Sequence, residues 1–360
     1  MTKIYLICAA QSEGELYHFA HGQTQGLLSR QGIRETLALA ERFSDETPDV
    51  VYSSDAYVAI ATAKALCKDG NPAIKLESSL REINLGVWEN QNWGNIAFDE
   101  PSQMRLFLHD IDFWHVDGAE TSQTVKERMN AAIYRIAQEN SGKTVAVVSH
   151  PISIRLYLSC LDSQFGRAKQ ENTAVTELIW DGEAMRIAAE SDVRHLHTAR
   201  YLSEKTAYIP PEFDANVCFF LLRYVEYGEM MADAIQSIWE EIQDERPYDR
   251  SILLNDANRL VTLVGYIEQS PAAFLQYGIM PGWITLLCVA PACRNASIGT
   301  QLIGQAVMDT RMKGGSHLYI PLGKNNPHRD FFFNQGFSVV DELEDGRDVF
   351  AKDIRISPES

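Results

Sequence analysis

One segment of the chain has residue types and spacing that suit the binding of a phosphorylated cofactor. It reads WITLLCVAPACRNASIGTQLIGQAVMD, from Trp283 to Asp309. An apolar strand leads into a short loop that carries Arg294 and Gly299, and this loop opens directly into a helix. Such a loop points successive backbone N–H groups and the positive end of the helix at one anion. The pattern predicts a pyrophosphate site with the guanidinium of Arg294 at its rim.

The helix after this loop is expected to bury one face. Its apolar residues recur at helical spacing, at Ile298, Leu302, Ile303 and Ala306. A plain strand–loop–helix packing unit has the same features, because one loop with a single glycine is weak support for a ligand. The local pattern therefore leaves a binding loop and a packing unit as alternatives.

The segment resembles the GNAT family of N-acetyltransferases, in which a strand is followed by Val-x-Pro, by Arg/Gln-x-x-Gly-x-Gly/Ala and by a helix. Val289 and Pro291 match the first motif, and the run from Arg294 to Thr300 matches the second. The later stretch HLYIPLGKNNPHRDFFFNQGF is similar to the family's next strand, its asparagine, its last helix and its terminal Gly-Phe. This places Asn325 at the asparagine position. The resemblance covers about residues 207–350 and favours the binding loop.

The resemblance implies transfer of an acetyl group from acetyl-CoA to an amine. It also implies that the strand LLCVA diverges from its neighbour, so that the main chain around Leu287 to Val289 pairs with the pantetheine arm. The cofactor-binding residues implied in this way are Leu287, Val289, Arg294, Asn295, Ala296, Ser297, Ile298, Gly299, Thr300 and Asn325.

Two positions depart from the GNAT pattern. Ser297 replaces the middle glycine of the loop, where a Cβ could crowd the phosphates or restrict the turn. Phe332 stands where the family often has a tyrosine that protonates the departing thiolate. That loss is tolerable, because a thiol with a pKa of about 8.5 leaves as an anion near neutral pH. Tyr319, Tyr277 or a water could also donate the proton.

No general base is assigned by the sequence. The stretch WITLL lacks the glutamate with which many relatives deprotonate the amine. Glu226, Glu229 and Glu268 are candidates, but each is explained as well by a solvated surface carboxylate.

The first half carries a second group of residues that could do chemistry. The opening stretch IYLICAAQSEGELYHFAHGQTQG contains a His-Gly-Gln-Thr run at His21, which follows no strand and is predicted to lie in a loop. The strand before it ends at Cys8, Ala9 and Ala10.

This half resembles the histidine phosphatase superfamily, in the branch with the cofactor-dependent phosphoglycerate mutases, over about residues 1–200. The resemblance is carried, in order, by IYLI, LSRQGIRETLALAERF, VYSSDAYVAIATAKAL, LREINLGVWEN, GAETSQTVKERM and VAVVSHPISIRLYL.

Most of the family's catalytic residues are replaced. The family ends its first strand in Arg-His-Gly, where this chain has Cys8–Ala10, and its second arginine corresponds to Val58. A phosphoryl group needs a nucleophile and positioned cations, so the resemblance implies a domain that no longer forms a phosphohistidine. Glu82 and His150 remain at the positions of the family's acid and second histidine, and they are interpreted as remnants of the site. Cys8 occupies the arginine position, so it is a poor substitute nucleophile.

The elements around these residues predict an α/β protein. Apolar strands alternate with helices in the first half, which favours a mostly parallel sheet covered on both faces. One such helix has Ile33, Leu37, Ala40 and Phe43 at helical spacing, with Ser29 as its N-cap, and Pro151 suits the first turn of another.

The second half predicts an α+β order. A strand at 217–225 precedes helices near 230–242 and 251–263, and strands at 271–278 and 283–290 follow. Together with these patterns, the two resemblances imply a three-layer α/β/α sandwich of the phosphoglycerate mutase type at residues 1–204, followed by a GNAT domain with a mixed sheet at 205–360.

Charge and composition limit the partners. The net charge of −17 repels nucleic-acid phosphates and attracts a cationic small molecule. The six cysteines are scattered, as in a reducing compartment. No leader or membrane-length apolar run is evident, so a cytoplasmic protein is expected, with a homo-oligomer possible. His109, Asp112 and His115 lie close in sequence but are expected to form a polar loop and no metal site.

Three functions follow from these observations. The first is an acetyl-CoA-dependent N-acetyltransferase that acts on a small, cationic amine, with the phosphatase-like domain as a binding or scaffolding module. The second is a non-catalytic acyl-CoA sensor or scaffold, favoured by Ser297 and Phe332. The third and weakest is a residual phosphatase.

Overall fold

The computed structural model describes residues 1–163, 170–197, 221–226, 232–242 and 260–356. The chain divides into two compact units, and the first consists of Met1–Glu15, Ala20–Asn90 and Glu100–Ile209. The second consists of Leu16–Phe19, Gln91–Asp99 and Pro210–Ser360. The predicted boundary between residues 204 and 205 lies outside the described residues.

The first half alternates strands and helices. Its strands are β1 (Thr2–Cys8), β2 (Val50–Ser53), β3 (Ile74–Leu76), β4 (Thr144–Ser149), β5 (Val175–Trp180) and β6 (Met185–Asp192). Its helices are α1 (Glu13–Tyr17), α2 (Arg30–Arg42), α3 (Tyr57–Lys64), α4 (Trp93–Asp99), α5 (Pro101–His109), α6 (Ser122–Glu139) and α7 (Pro151–Leu161). Short 3₁₀ helices lie at Ser78–Leu80, Gly86–Trp88, Ile111–Phe113 and Arg194–His197.

The sheet of the first unit is mostly parallel, as predicted. Its strand order is β3-β2-β4-β1-β5-β6, and β3, β2, β4 and β1 run parallel, whereas β5 and β6 are antiparallel additions. Tyr5 and Ile7 of β1 pack in a cluster with Leu39 of α2 and Ala59 of α3 on one face. Helices α6 and α7 also contact β1 and each other, which completes the three layers.

Helix α2 has its predicted start, and its buried face centres on Gly32, Ala38 and Leu39. Ser29 is the N-cap, and its side chain accepts a hydrogen bond from the Gly32 amide. Ile33 and Leu37 lie at helical spacing as predicted, but they are 51% and 50% exposed. Position 32 sets the orientation of the helix, because a Cβ on Gly32 would lie 2.1 Å from the Gln11 carbonyl oxygen.

The second half forms a mixed sheet. Its strands are β7 (Arg223–Glu226), β8 (Leu260–Ile267), β9 (Ser270–Ile279), β10 (Gly282–Val289), β11 (His317–Leu322), β12 (Ser338–Glu342) and β13 (Asp348–Asp353). Its helices are α8 (Ala232–Ile242), α9 (Ile298–Met312) and α10 (Arg329–Asn334), with a 3₁₀ turn at Pro291–Cys293. The strand order is β12-β13-β11-β10-β9-β8-β7, in which β10 and β11 are parallel and the other neighbours antiparallel.

The predicted helix near 251–263 is wrong where it can be compared, because Leu260–Leu263 belongs to strand β8. Residues 251–259 lie outside the described residues, as does the start of the strand predicted at 217–225. The β-branched residues Val261, Thr262 and Val264 favour a strand, and pairing with β9 through a tight hairpin supplies the ladder. Both other strands predicted in this region, at 271–278 and 283–290, are present as β9 and β10.

Helix α9 buries the predicted face. Ile298, Leu302, Ile303 and Ala306 are each at most 1% exposed and pack in the core of the second unit. No helix in the described ranges has the length and apolar character needed to cross a membrane.

Candidate functional site

The parallel strands β10 and β11 separate soon after they meet. They pair at Gly282 with Leu318 and at Trp283 with Tyr319, and the described residues give no further pair between them. On its other side β10 stays paired with β9 as far as Val289 with Ala273. The main-chain edge of β10 that faces β11 is therefore open beyond Trp283, and Leu287 and Val289 lie along this open edge. It can accept and donate hydrogen bonds to an extended polar ligand.

The loop after β10 ends at the N-terminus of α9. Arg294 is exposed, and its Nε donates to the Val289 carbonyl oxygen over 3.3 Å. The first helical amides, at Ile298, Gly299 and Thr300, have no acceptor within the helix. Together with the helix dipole they provide a site for an anionic group.

Two loop residues adopt the left-handed conformation. Asn295 has φ 61°, and Ser297, which is the N-cap of α9, has φ 58° and ψ 9°. This region costs a residue with a Cβ about 1–2 kcal/mol but costs glycine almost nothing. The structure thus gives a physical reason for a glycine at position 297 and for the strain that serine brings there.

Ser297→Gly is expected to raise the free energy of unfolding by about 0.5–1 kcal/mol, since relief of the left-handed strain outweighs the added freedom of the unfolded chain. Urea unfolding followed by circular dichroism measures this change. Ser338→Gly, in the exposed strand β12, is the matched control, and it should lower stability. A loss of stability in both variants would contradict the strain at Ser297.

Gly299 and Thr300 pack against α10. A Cβ on Gly299 would lie 3.0 Å from the ring of Phe331, so a larger residue would push α10 away. The Thr300 hydroxyl is buried and accepts a hydrogen bond of 3.0 Å from the Gln335 side chain. These two positions hold the helix that borders the loop, and Thr300 offers a ligand its backbone amide more readily than its side chain.

Asn325 lies in the turn after β11 and is exposed. Because parallel strands end at the same edge of a sheet, this turn and the loop at Arg294 follow the same ends of β11 and β10. Asn295 and Ala296 complete the loop, with Asn295 exposed and Ala296 half-buried against the core.

The acid and base candidates differ in their exposure. Phe332 is 4% exposed, and it packs edge-on against Phe331 and Phe337, so the family's tyrosine position belongs to the core here. The Tyr277 hydroxyl is buried and donates to the Asp309 carboxylate. Burial and that carboxylate raise the pKa of Tyr277, which makes it a poor acid for a departing thiolate. Tyr319, in contrast, is half-exposed where β10 and β11 separate.

The carboxylate candidates remain unassigned. Glu226 at the end of β7 and Glu268 in the β8–β9 turn are both exposed. Glu229 lies outside the described residues. No geometry in the described residues selects one of them as a base.

In the first unit, apolar packing replaces the catalytic group of the family. Ala9 is part of the buried cluster on the α2–α3 face of the sheet, and Val58 packs against the same cluster. Two backbone amides after β1 are taken by side chains of the protein, since Ala10 donates to Thr62 over 2.9 Å and Gln11 to Glu35 over 2.8 Å. A phosphoryl group at this strand end would meet methyl groups and a carboxylate.

His150 and Glu82 are buried and hydrogen-bonded. The His150 Nε2 lies 2.8 Å from the Ser54 hydroxyl, and burial lowers the pKa of His150, which favours a neutral ring. The Glu82 carboxylate accepts from the amides of Ile152 and Ser153 at 3.0 and 2.9 Å, and also from the Ser153 hydroxyl. Glu82 therefore caps the N-terminus of α7.

The other polar motifs of the first half have local roles. His21 lies in a loop, and its ring packs closely against two glycines. A Cβ added at Gly14 would lie 2.2 Å from the ring, and one added at Gly26 would lie 3.2 Å from it. Asp112 accepts from Ser122 and Lys126. Across the described ranges no three His, Cys, Asp or Glu residues are grouped to hold a metal ion.

Two features beside the open strand edge were not predicted from the sequence. A β-bulge at Thr285 interrupts the β9–β10 register, and Trp283 stacks on Tyr319 with ring centroids 5.2 Å apart. The only sequence signal was an aromatic residue at the start of one strand and another in the next.

Two family models match the chain. The histidine phosphatase superfamily (branch 1) matches residues 4–193, and the acetyltransferase (GNAT) family matches residues 228–337. The metal-independent phosphoserine phosphatase of Arabidopsis thaliana is 26% identical over 205 residues, which are 56% of this chain and 86% of that protein. The "Probable phosphoglycerate mutase GpmB" of Escherichia coli O1:K1 is 23% identical over 209 residues, 54% of this chain and 95% of its own length.

Solved structures agree with the fold of the first half. YhfR of Bacillus stearothermophilus superposes with a TM-score of 0.51 at 23% identity, and the match covers 54% of this chain and 100% of the YhfR chain. A phosphoglycerate mutase from Bacillus anthracis str. Sterne gives a TM-score of 0.50 at 24% identity, over 54% of this chain and 95% of its own. The chain belongs to the histidine phosphatase superfamily, branch 1, and carries a GNAT acetyltransferase domain in its second half.

Proposed function

We propose that the chain is an acetyl-CoA-dependent N-acetyltransferase for a small, cationic amine, and that its phosphatase-like unit serves binding or scaffolding. The observation that carries the proposal is the separation of β10 from β11 after Trp283. It leaves an open main-chain edge that leads straight to the loop at Arg294 and the N-terminus of α9.

The residues present fit acetyl-CoA. The open edge around Leu287 and Val289 suits the amides of pantetheine, and the amides after Ser297 suit the pyrophosphate. The loop has the exposed Arg294 as its cation. Bound acetyl-CoA would supply an activated acetyl group: the amine nitrogen forms a C–N bond to the carbonyl carbon, the C–S bond breaks, and the proton lost by the amine balances the one gained by the thiolate.

The acidic surface supports a cationic acceptor. With a net charge of −17, the chain raises the local concentration of a small cation. The class of amine is otherwise open.

Loss of phosphoryl transfer is part of the proposal, although the named relatives are phosphatases and mutases. Ala9 and Val58 lie in an apolar cluster, and His150 is a buried ring held by Ser54. The described site thus lacks the family's nucleophile at position 9 and both arginines, at positions 8 and 58. Turnover of a phosphomonoester that disappears in His150→Ala would contradict this part.

An acyl-CoA sensor is the second candidate. The observation that favours it is the burial of Phe332 at the position of the family's acid. Such a protein would bind acetyl-CoA through the same edge and loop and release no thiol.

Two measurements separate these functions. Isothermal titration calorimetry with acetyl-CoA tests the site itself, and thiol release against a panel of amines tests transfer. Binding with turnover supports the transferase, binding without turnover on any amine supports the sensor, and absence of binding contradicts both.

A further inference from the structure

The two faces of the sheet differ at the point where β10 and β11 separate. On the face toward α9, Ile284 and Leu318 are fully buried in the core cluster that includes Leu302. Because successive residues of a strand point to opposite faces, Trp283 and Tyr319 lie on the other face. Both are half-exposed there. A molecule can therefore approach the separation point from the Trp283–Tyr319 side only, as far as the described residues show.

Trp283 and Tyr319 form a stacked pair on this face. Their ring centroids are 5.2 Å apart with an interplanar angle of 24°, and His317 continues the stack at 5.9 Å from Tyr319. The face of an indole ring carries negative electrostatic potential, which attracts ammonium groups more than neutral amines.

A hydroxyl lies on the same strand, two residues after Trp283. Thr285, the extra residue at the bulge of β10, is exposed. It donates to the backbone and side-chain oxygens of Gln276 at 3.1 and 2.9 Å. The Gln276 side chain is itself fixed, because it donates to Thr262 over 3.0 Å and both residues are buried. With its proton committed to Gln276, the Thr285 oxygen presents lone pairs that can accept an N–H group.

We propose that the Trp283–Tyr319 stack and the Thr285 hydroxyl bind the acceptor as an alkylammonium ion, which releases one proton to solvent before its nitrogen attacks the acetyl carbonyl, and that the stack selects cationic over neutral amines. This inference rests on the proposed acetyltransferase function. It names the substrate class of that site and the residues that determine it.

The test compares two amines of similar shape and different charge. Ethylamine is cationic near neutral pH and trifluoroethylamine is neutral. In Trp283→Leu the KM for ethylamine is expected to rise about tenfold, the ratio that corresponds to loss of a cation–π contact of about 1.4 kcal/mol. The KM for trifluoroethylamine should change less than about twofold on the same reasoning, and the Kd for acetyl-CoA should stay the same.

Further variants keep the test decisive if Trp283→Leu unfolds. Trp283→Phe retains a π face and should keep most of the preference, and Thr285→Val should raise both KM values because it removes the acceptor oxygen. Phe113→Leu is the control, because Phe113 lies in the first unit and is 77% exposed. It should change neither the KM for ethylamine nor the KM for trifluoroethylamine. Equal changes for both amines in Trp283→Leu, or an unchanged KM for ethylamine in that variant, would overturn the selectivity. If Trp283→Leu does not fold, loss of the preference in Trp283→Phe would overturn it instead.

Failure of this inference can be told from failure of the proposed function. If no amine is acetylated, the transferase is contradicted, and calorimetry of ethylamine with the acetyl-CoA-loaded chain still tests the binding face. If the heat of ethylamine binding is lost in Trp283→Leu and kept in Phe113→Leu, the result supports binding at the Trp283–Tyr319 face. If ethylamine does not bind the unchanged chain, the inference is overturned.

Discussion

Acetyl-CoA is expected to bind the Arg294→Glu variant about 30-fold more weakly than the unchanged protein. Arg294 is the exposed cation of the loop after β10, and a charge-assisted hydrogen bond to phosphate contributes about 1.5–3 kcal/mol. The reversal also brings a carboxylate to the positive end of α9, where it would compete with the phosphates for the amides that follow Ser297. Isothermal titration calorimetry measures the change in Kd.

Matched variants separate this local effect from a change in overall charge. Arg355→Glu changes the net charge by the same amount. The Arg355 side chain is 64% exposed, and the residue follows the end of β13, at the edge of the sheet where β11 begins. It should change the Kd by less than about twofold, since exposed distant charges are screened. Arg294→Gln should give a Kd between those of the two glutamate variants, and the factor by which it weakens binding should be smaller at high salt. If Arg294→Glu and Arg355→Glu weaken binding equally, the pyrophosphate assignment of the loop is wrong.

Glu82→Ala is expected to lower the free energy of unfolding of the chain by about 3 kcal/mol. Its carboxylate is buried and accepts from two amides of the first turn of α7, from the Ser153 hydroxyl and from its neighbour Ile83. Alanine would leave those buried donors without an acceptor, at about 1–3 kcal/mol for each group that water does not reach, and would remove an N-terminal negative charge. Urea unfolding monitored by circular dichroism gives the change.

The comparison variants distinguish capping from simple loss of charge. Glu82→Gln keeps one acceptor oxygen and should lose about half as much stability. Glu139→Ala removes an exposed carboxylate whose partner Arg135 lies 3.7 Å away, and it should stay within about 0.5 kcal/mol. A Glu82→Ala variant as stable as Glu139→Ala would show that Glu82 is not a structural cap.

The general order of elements could be predicted because it depends on local patterns. Apolar strands, the N-cap at Ser29, Pro151 in the first turn of α7 and the buried face of α9 all follow from residue type and spacing. The helix α2 face could not be predicted in this way, because Ile33 and Leu37 fit one helical face and Ala38 and Leu39 fit another. The close approach of Gly32 to the Gln11 backbone decides between them.

The same division holds for the candidate sites. The sequence by itself determined which residues follow β10 and which catalytic residues are absent after β1, since both depend on residue identity at fixed positions in a motif. The resemblance implied that LLCVA diverges from its neighbour, but only the tertiary structure decided that the pairing of β10 with β11 ends at Trp283. It also decided that Ser297 is left-handed and that Glu82 caps α7. These properties depend on pairing between segments far apart in the chain and on backbone angles imposed by packing, which no local pattern encodes.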